Sequence, residues 1–217
     1  ISIVALITTM LIFFTTEPAN ENLIQSNEIK PPTFKETILD NKKSFTIGGS
    51  GHFIMQFLRQ CRHVLIPIWA FSIGLGVEEL GLIQSISAAI DMTLFYPVGL
   101  IMDKYGRKWT SVPSIILLSL GFIFMTYVDS FNGLMLVGLL LGFANGLGSG
   151  AMLTLGSDLS PKNQPGSFLG IWRLFGWSGN SAGGPISGAI AQTVGNTASA
   201  LSISMIGGIG AVSYTHL

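Results

Sequence analysis

The sequence predicts an all-α polytopic membrane protein, a bundle of six transmembrane helices with a partial helix ahead of it. Three observations carry this. Apolar residues make up 48% of the chain and charged ones 10%, where a soluble domain carries about 25% charged residues. With a mean hydropathy of +0.58, that apolar excess needs lipid as its solvent. Apolar segments recur at 53–75, 80–102, 111–128, 132–156, 167–193 and 197–213, each near the roughly 20 residues that cross a bilayer, allowing for tilt. The basic residues between them fall in alternate connections only, as the positive-inside rule requires of a multi-pass chain.

Residues 1–14, ISIVALITTMLIFF, are uncharged but too short to span alone, and are expected to be the end of a truncated transmembrane helix. A signal-peptide core is the other reading. Against it, no basic leader and no small-residue cleavage pattern occur before Glu17. Residues 15–50 are polar, with Glu17, Glu21, Glu28, Lys30, Lys35, Glu36, Asp40, Lys42 and Lys43 around Pro31 and Pro32. They read as a water-exposed linker with a short amphipathic helix near 33–40. Gly48, Gly49 and Gly51 are expected to break the chain before the first complete span.

The six spans, together residues 51–213, are joined by short connections at 76–79, 103–110, 129–131, 157–166 and 194–196, so neighbours must run antiparallel. Lys30, Lys35, Lys42, Lys43, Lys104, Arg107, Lys108 and Lys162 fall on one side. The other side holds only Glu78, Glu79 and Asp129. The linker 15–50 and the loop 103–110 are therefore expected in the cytoplasm, with the chain in the cell membrane. Residues 214–217, the end of a run from Val212 that looks like read-through, are expected to be a non-native tail and carry no argument.

Composition also excludes. Eleven basic residues balance eleven acidic ones, so there is no nucleic-acid footprint. A single cysteine, Cys61, rules out an internal disulfide framework. His52, His63 and His216 offer no metal-ligand set, and neither a Gly-x-Ser-x-Gly elbow nor a His-Glu-x-x-His pair occurs. No enzyme, cofactor or metal centre is expected.

The most specific stretch joins the second and third spans. Gly99, Asp103, Lys104, Gly106, Arg107 and Lys108 form a Gly-x-x-x-Asp-Lys-x-Gly-Arg-Lys hairpin. This resembles the loop signature of the major facilitator superfamily of secondary transporters. The resemblance implies that the chain is the C-terminal half of a twelve-helix carrier, from the end of helix six through helix twelve. It implies a missing N-terminal six-helix half that forms the opposite wall of the substrate cavity. Such a loop implies a gate, latching the cytoplasmic side through charge pairs and helix-end dipoles, with its partner in the missing half. A second stretch, around Asp158, Arg173 and Gly183-Gly184-Pro185-x-x-Gly188, looks like helices ten and eleven of drug-efflux facilitators. The Gly-Pro pair is also similar to the antiporter motif of helix five, but Asn180 and Ala189 stand where that motif has glycine, so no direction follows.

Polar residues in four spans supply the candidate coupling or substrate positions: Asp91, Arg62, Asn145, Arg173, Trp177 and Asn180. Asp91 lies about 13–16 Å from either end of its span. A charge there costs roughly 2.5–3.5 kcal/mol on insertion scales. It reads either as an acid that takes up and releases protons or as a structural partner for a base such as Arg62. Arg59 is expected to snorkel to the cytoplasmic interface, and Pro67 to kink its helix. Asn145 is expected beside the cavity. Arg173 is expected either at the cavity or paired with Asp158, and Trp177 to pack or to stack on an aromatic or cationic substrate. The spans 111–128 and 197–213, which lack charge, are expected to be lipid-facing supports. Gly138, Gly142, Gly146 and Gly150 recur every fourth residue as a ridge for close helix packing, with Gly184, Pro185 and Gly188 as a second packing set. Gly146-x-Gly148-x-x-Ala151 fits a dinucleotide fingerprint only by accident, since no strand precedes it.

The function implied is alternating-access transport of a small-molecule substrate across the lipid bilayer, coupled to protons, with efflux of drugs or other small molecules favoured. Uptake of a sugar or organic acid by symport, and a non-transporting receptor or scaffold on the same fold, remain as alternatives.

Overall fold

The computed structural model describes residues 33–162 and 165–215, which lie in one compact unit, Pro32–Leu217. The helix end expected at 1–14 and the first part of the linker, 15–32, lie outside the described residues. Among the described residues are seven α-helices and no strand: α1 (Phe34–Asp40), α2 (Ser50–Ser72), α3 (Val77–Tyr105), α4 (Lys108–Met125), α5 (Phe131–Leu159), α6 (Pro165–Thr193) and α7 (Asn196–Thr215), with a π-helical turn (Ser44–Gly49) ahead of α2. Each of the six apolar segments overlaps one of α2 to α7. By length and composition α3, α4 and α5 can each cross a membrane, and Asn196–Val212 of α7 is a shorter apolar helix. The chain is an all-α polytopic membrane protein.

The helix boundaries follow local chemistry. At the start of α1, the Glu36 carboxylate accepts from the Thr33 amide at 2.8 Å. Glu79 does the same for Gly76 at the start of α3, also at 2.8 Å. These acids satisfy amides that the first helical turn leaves without partners. Ser130 caps α5 by accepting from the Gly133 amide at 3.4 Å. At the other end of α3, Gly106 takes φ 90°, a left-handed conformation that side chains disfavour, while its amide still bonds the Met102 carbonyl at 3.0 Å. That lets the chain reverse in two residues before α4 begins.

The linker ends earlier than the sequence reading places it. Residues 34–49 are helical apart from a turn at Asn41, and the chain runs through the π-helical turn into α2 without the break expected at Gly48, Gly49 and Gly51. The reason is apolar packing. Phe45 is buried and stacks on Phe168 of α6, ring centroids 4.6 Å apart, with Phe175 at 5.9 Å. The π-helical turn sits against the side of α6 that carries Trp172 and Phe175.

In the bundle, α2 packs on α6, α3 on α5, and α4 lies against both α5 and α7. The main core joins Met55, Leu58 and Leu65 of α2 to Ile115, Leu118 and Phe122 of α4 and Leu134 and Leu141 of α5. Apolar area alone does not drive helices together in lipid, because the tails are as apolar as the side chains. Close backbone approach and interhelical hydrogen bonds have to contribute. The α3–α5 contact has both. A methyl placed at Gly138, Gly146 or Gly150 would come within 2.6–2.8 Å of Ile83, Leu94 or Met102, and one at Gly142 would strike the Ser87 carbonyl. Ser87 meanwhile donates to the Gly138 carbonyl at 2.7 Å.

The second packing set differs from expectation. On α6 the face against α2 is Gly176, Gly179 and Gly183, where a methyl would meet His52, Phe53 or Phe57. Gly184 has only ordinary contact distances of 3.7 Å to Gln60 and Val64, Gly188 faces open space, and Pro185 is exposed. Residues 176, 179 and 183 share a helical stripe that Gly188 does not, and this stripe, not the Gly-Pro pair, makes the closest approach to α2. Within this chain α4 is half buried, whereas α3 is the most exposed span, with 17% of its apolar window buried. Phe95, Tyr96 and Leu100 of α3 are exposed.

Candidate functional site

Two polar layers meet between α2, α3, α5 and α6. The deeper one is centred on Asp91 of α3. Asn145 of α5 donates through Nδ2 to Asp91 Oδ2 at 2.5 Å, and Ser149, one turn on, places its Oγ 3.3 Å from Oδ1. Arg59 reaches across from α2, donating through Nη2 to Ser149 Oγ at 3.0 Å and to the Asn145 carbonyl at 3.1 Å. The Ser149 hydroxyl has one proton and accepts from Arg59, so it can donate its own hydrogen bond either to Asp91 or to the Asn145 carbonyl at 2.9 Å. Carboxylate and guanidinium are thus joined through Ser149 and through Asn145.

This arrangement revises three sequence expectations. Arg59 does not snorkel outward: α5 offers a hydroxyl and a carbonyl within its reach, so the guanidinium turns into the bundle. The expected Arg62–Asp91 pair is absent among the described residues. Arg62 is 6% exposed and gives its Nη1 to the Leu141 carbonyl at 3.1 Å, because its turn of α2 faces α5 one helical turn away from Asn145. Asn145 is itself 9% exposed, and its amide is spent on Asp91 instead of facing the cavity.

The shallower layer is a cavity of about 370 Å³ lined by His52, Gln56, Arg59, Ser149, Ser157, Leu169, Trp172, Arg173 and Trp177. Arg59 and Ser149 belong to both layers, so the cavity wall is one hydrogen bond from Asp91. Trp172 forms fixed wall, 2% exposed and stacked on His52 with centroids 5.1 Å apart. Trp177 is different: 64% of its surface is exposed. Arg173 and Trp177 are four residues apart and share one face of α6. Asn180 is exposed on that helix but does not line the cavity.

The hairpin sits at the end of the bundle where α3, α4 and α5 meet. Arg107 Nε forms an ion pair with Asp158, at the end of α5. Asp158 therefore takes Arg107 and not Arg173, which lines the cavity instead. Among the described residues the hairpin pairs with Asp158 of the same chain. Asp103, Lys104 and Lys108 are exposed, with the Lys104 ammonium 5.2 Å from the Tyr105 ring centroid.

Comparison with known proteins decides the family. The family model described as Major Facilitator Superfamily matches residues 48–217. The chain belongs to this superfamily of transporters. Two curated relatives, both the multi-drug resistance efflux pump PmrA of Streptococcus pneumoniae from two strains (serotype 4 TIGR4, and R6), are 29% identical over 157 residues. The match covers 70% of this chain and 37% of each relative, so the chain spans little more than a third of the facilitators it resembles.

In this facilitator the residues that sequence reasoning missed are Arg59, Ser149, His52 and Gln56. A usable signal existed for the first and last: Gln56 and Arg59 lie three apart and so share a face. Gln56 accepts from Arg59 Nη1 at 3.5 Å. Ser149, one among many serines in apolar spans, carried none.

Proposed function

We propose that this chain is the C-terminal six-helix half of a secondary transporter that moves a small molecule by alternating access, with Asp91 as its proton-coupling acid. The observation that carries the reading is the hydrogen-bonded route from Asp91 through Ser149 to Arg59 at the cavity wall. A carboxylate inside a membrane bundle is costly. It is retained most readily where binding at one end of a polar route can bias protonation at the other. With a proton on Asp91, its hydrogen bond from Asn145 or Ser149 has to be rearranged, and Arg59 loses part of the network that orients it. Proton and solute then compete for one arrangement of Arg59, which is the coupling an exchanger needs.

Efflux is the favoured direction. Its support is that both relatives are multi-drug resistance efflux pumps, together with the aromatic cavity wall. In this reading residues 15–50 and the hairpin lie in the cytoplasm, and the Arg107–Asp158 pair steadies the cytoplasmic ends of α3, α4 and α5 while a second half of the protein rocks against them. The opposite wall of the cavity comes from that second half.

The test is a flux assay on the full-length parent in proteoliposomes loaded with a pH-sensitive dye. Solute added on one side should dissipate or build the proton gradient in proportion to its own movement. If a panel of organic anions, cations and sugars moved neither solute nor protons, the protein would be a non-transporting member of the fold and this reading would fail.

A further inference from the structure

The chemistry of the cavity goes further than the transport reading, on which this inference rests for the role of the site. We propose that it selects arylcarboxylate anions: small molecules with one aromatic ring and one carboxylate held a short distance apart.

Charge is the first argument. Arg59 and Arg173 both line the cavity, and no Asp or Glu does among the described residues. The nearest acids are already engaged. Asp91 accepts from Asn145 and Ser149 behind the wall, and Asp158 is paired with Arg107. A cation entering the cavity would meet like charge. An anion would meet net positive charge, with Arg59 held by Ser149, the Asn145 carbonyl and Gln56 and Arg173 presenting a guanidinium, the side chain best suited to bidentate carboxylate binding.

Geometry is the second. Arg173 and Trp177 lie one turn apart on α6, and side chains at this spacing start about 5–6 Å from each other. Side chains that start this close can meet one small molecule together, the indole at its ring and the guanidinium at its carboxylate. Trp177 leaves 64% of its surface uncovered, so its indole face is available for stacking while Arg173 takes the carboxylate. The competing possibility is a cation held over the Trp177 ring. It is disfavoured because the same ring has Arg173 as its neighbour on the helix and Arg59 across the cavity.

The test uses the full-length parent, which supplies the opposite wall of the cavity, in lipid nanodiscs with three matched probes: p-nitrobenzoate, the neutral p-nitrobenzamide, and p-nitrobenzylammonium. All three nitroaromatics quench tryptophan on contact, so binding reads as saturable quenching. The anion should bind at least tenfold more tightly than the amide, and the cation weakest. Arg173→Gln should weaken the anion about tenfold, the usual size of a lost charged hydrogen bond, and leave the amide unchanged. Trp177→Phe should reduce the saturable quench, the remainder coming from Trp172 on the same cavity. Arg173 is exposed, so its loss does not threaten the fold, and the ranking of the three probes needs no variant at all. Equal binding of anion and amide, preference for the cation, or no saturable quench overturns the proposal. Failure here is separate from failure of the transport reading. A parent protein that moves sugars or cations keeps transport and refutes arylcarboxylate selection, whereas anion binding without flux does the reverse.

Discussion

Replacing Gly142 by alanine adds one methyl group where the α3–α5 contact has no room for it. The added Cβ would lie 2.7 Å from Ser87 Oγ and 3.0 Å from its carbonyl carbon, and closer still to the carbonyl oxygen. Most of that obstruction is backbone, so no rotamer change removes it and α3 has to move away. Overpacking of this kind costs about 1–3 kcal/mol. The same displacement stretches the 2.7 Å bond from Ser87 to the Gly138 carbonyl; such interhelical bonds are worth about 0.6 kcal/mol on average in membranes. Against both stands the better helix propensity of alanine, worth up to about 1 kcal/mol. The net expectation is destabilisation by about 1–2 kcal/mol. Gly170, exposed on α6 with nothing within 4 Å of an added methyl, supplies the control, since its alanine variant gains propensity alone. Reversible unfolding of the chain in bicelles titrated with SDS should therefore shift the two variants in opposite directions. Equal shifts of the same sign would refute the reasoning that close backbone approach holds α3 on α5.

Other consequences can be checked with the same material. A double-mutant cycle on Arg107→Gln and Asp158→Asn should give a coupling below about 1 kcal/mol, because the two side chains are 24% and 50% exposed and water screens them; the coupling should fall further in high salt. Phe45→Ala should free the segment ahead of α2 from α6 while leaving the bundle folded. That would appear as faster hydrogen exchange confined to residues 34–49. Ser149→Ala removes the hydroxyl that joins Arg59 to Asp91; in the full-length parent it should slow proton-coupled flux more than it weakens solute binding, as a positioning role requires.

Much of the helical layout was legible because apolar runs and glycine-marked reversals are local properties of the chain. The hairpin at Gly106 is an example: the residue type alone announces a left-handed turn. The ridge on α5 was legible too, since a four-residue period fixes one helix face without knowledge of the neighbour. Contacts between helices were not. Asp158 had two arginines to choose from, and the nearer in sequence, Arg173, lost to Arg107 because the ends of α3, α4 and α5 converge. Asp91 was readable as an intramembrane acid, but its partners Asn145 and Ser149 depend on the register of α5 against α3. Arg59 was misjudged for the same reason. Snorkelling is the default for a basic residue near a helix end, and only the positions of the Asn145 carbonyl and the Ser149 hydroxyl turn it inward. The segment 34–49 misled through composition: its lysines and acids masked Phe45, which stacks on Phe168 and Phe175 of α6.

The claim that Asp91 couples solute movement to protons is tested most directly by replacing it with asparagine in the full-length parent. Two fluxes should be measured in the same proteoliposomes: solute exchange at equal pH, and solute accumulation driven by an imposed pH gradient. Asparagine keeps the size of the side chain and much of its hydrogen bonding, so exchange should persist while gradient-driven accumulation is lost. If gradient-driven accumulation survived in the Asp91→Asn protein at the wild-type level, Asp91 would be a structural residue and its part in proton coupling would be disproved.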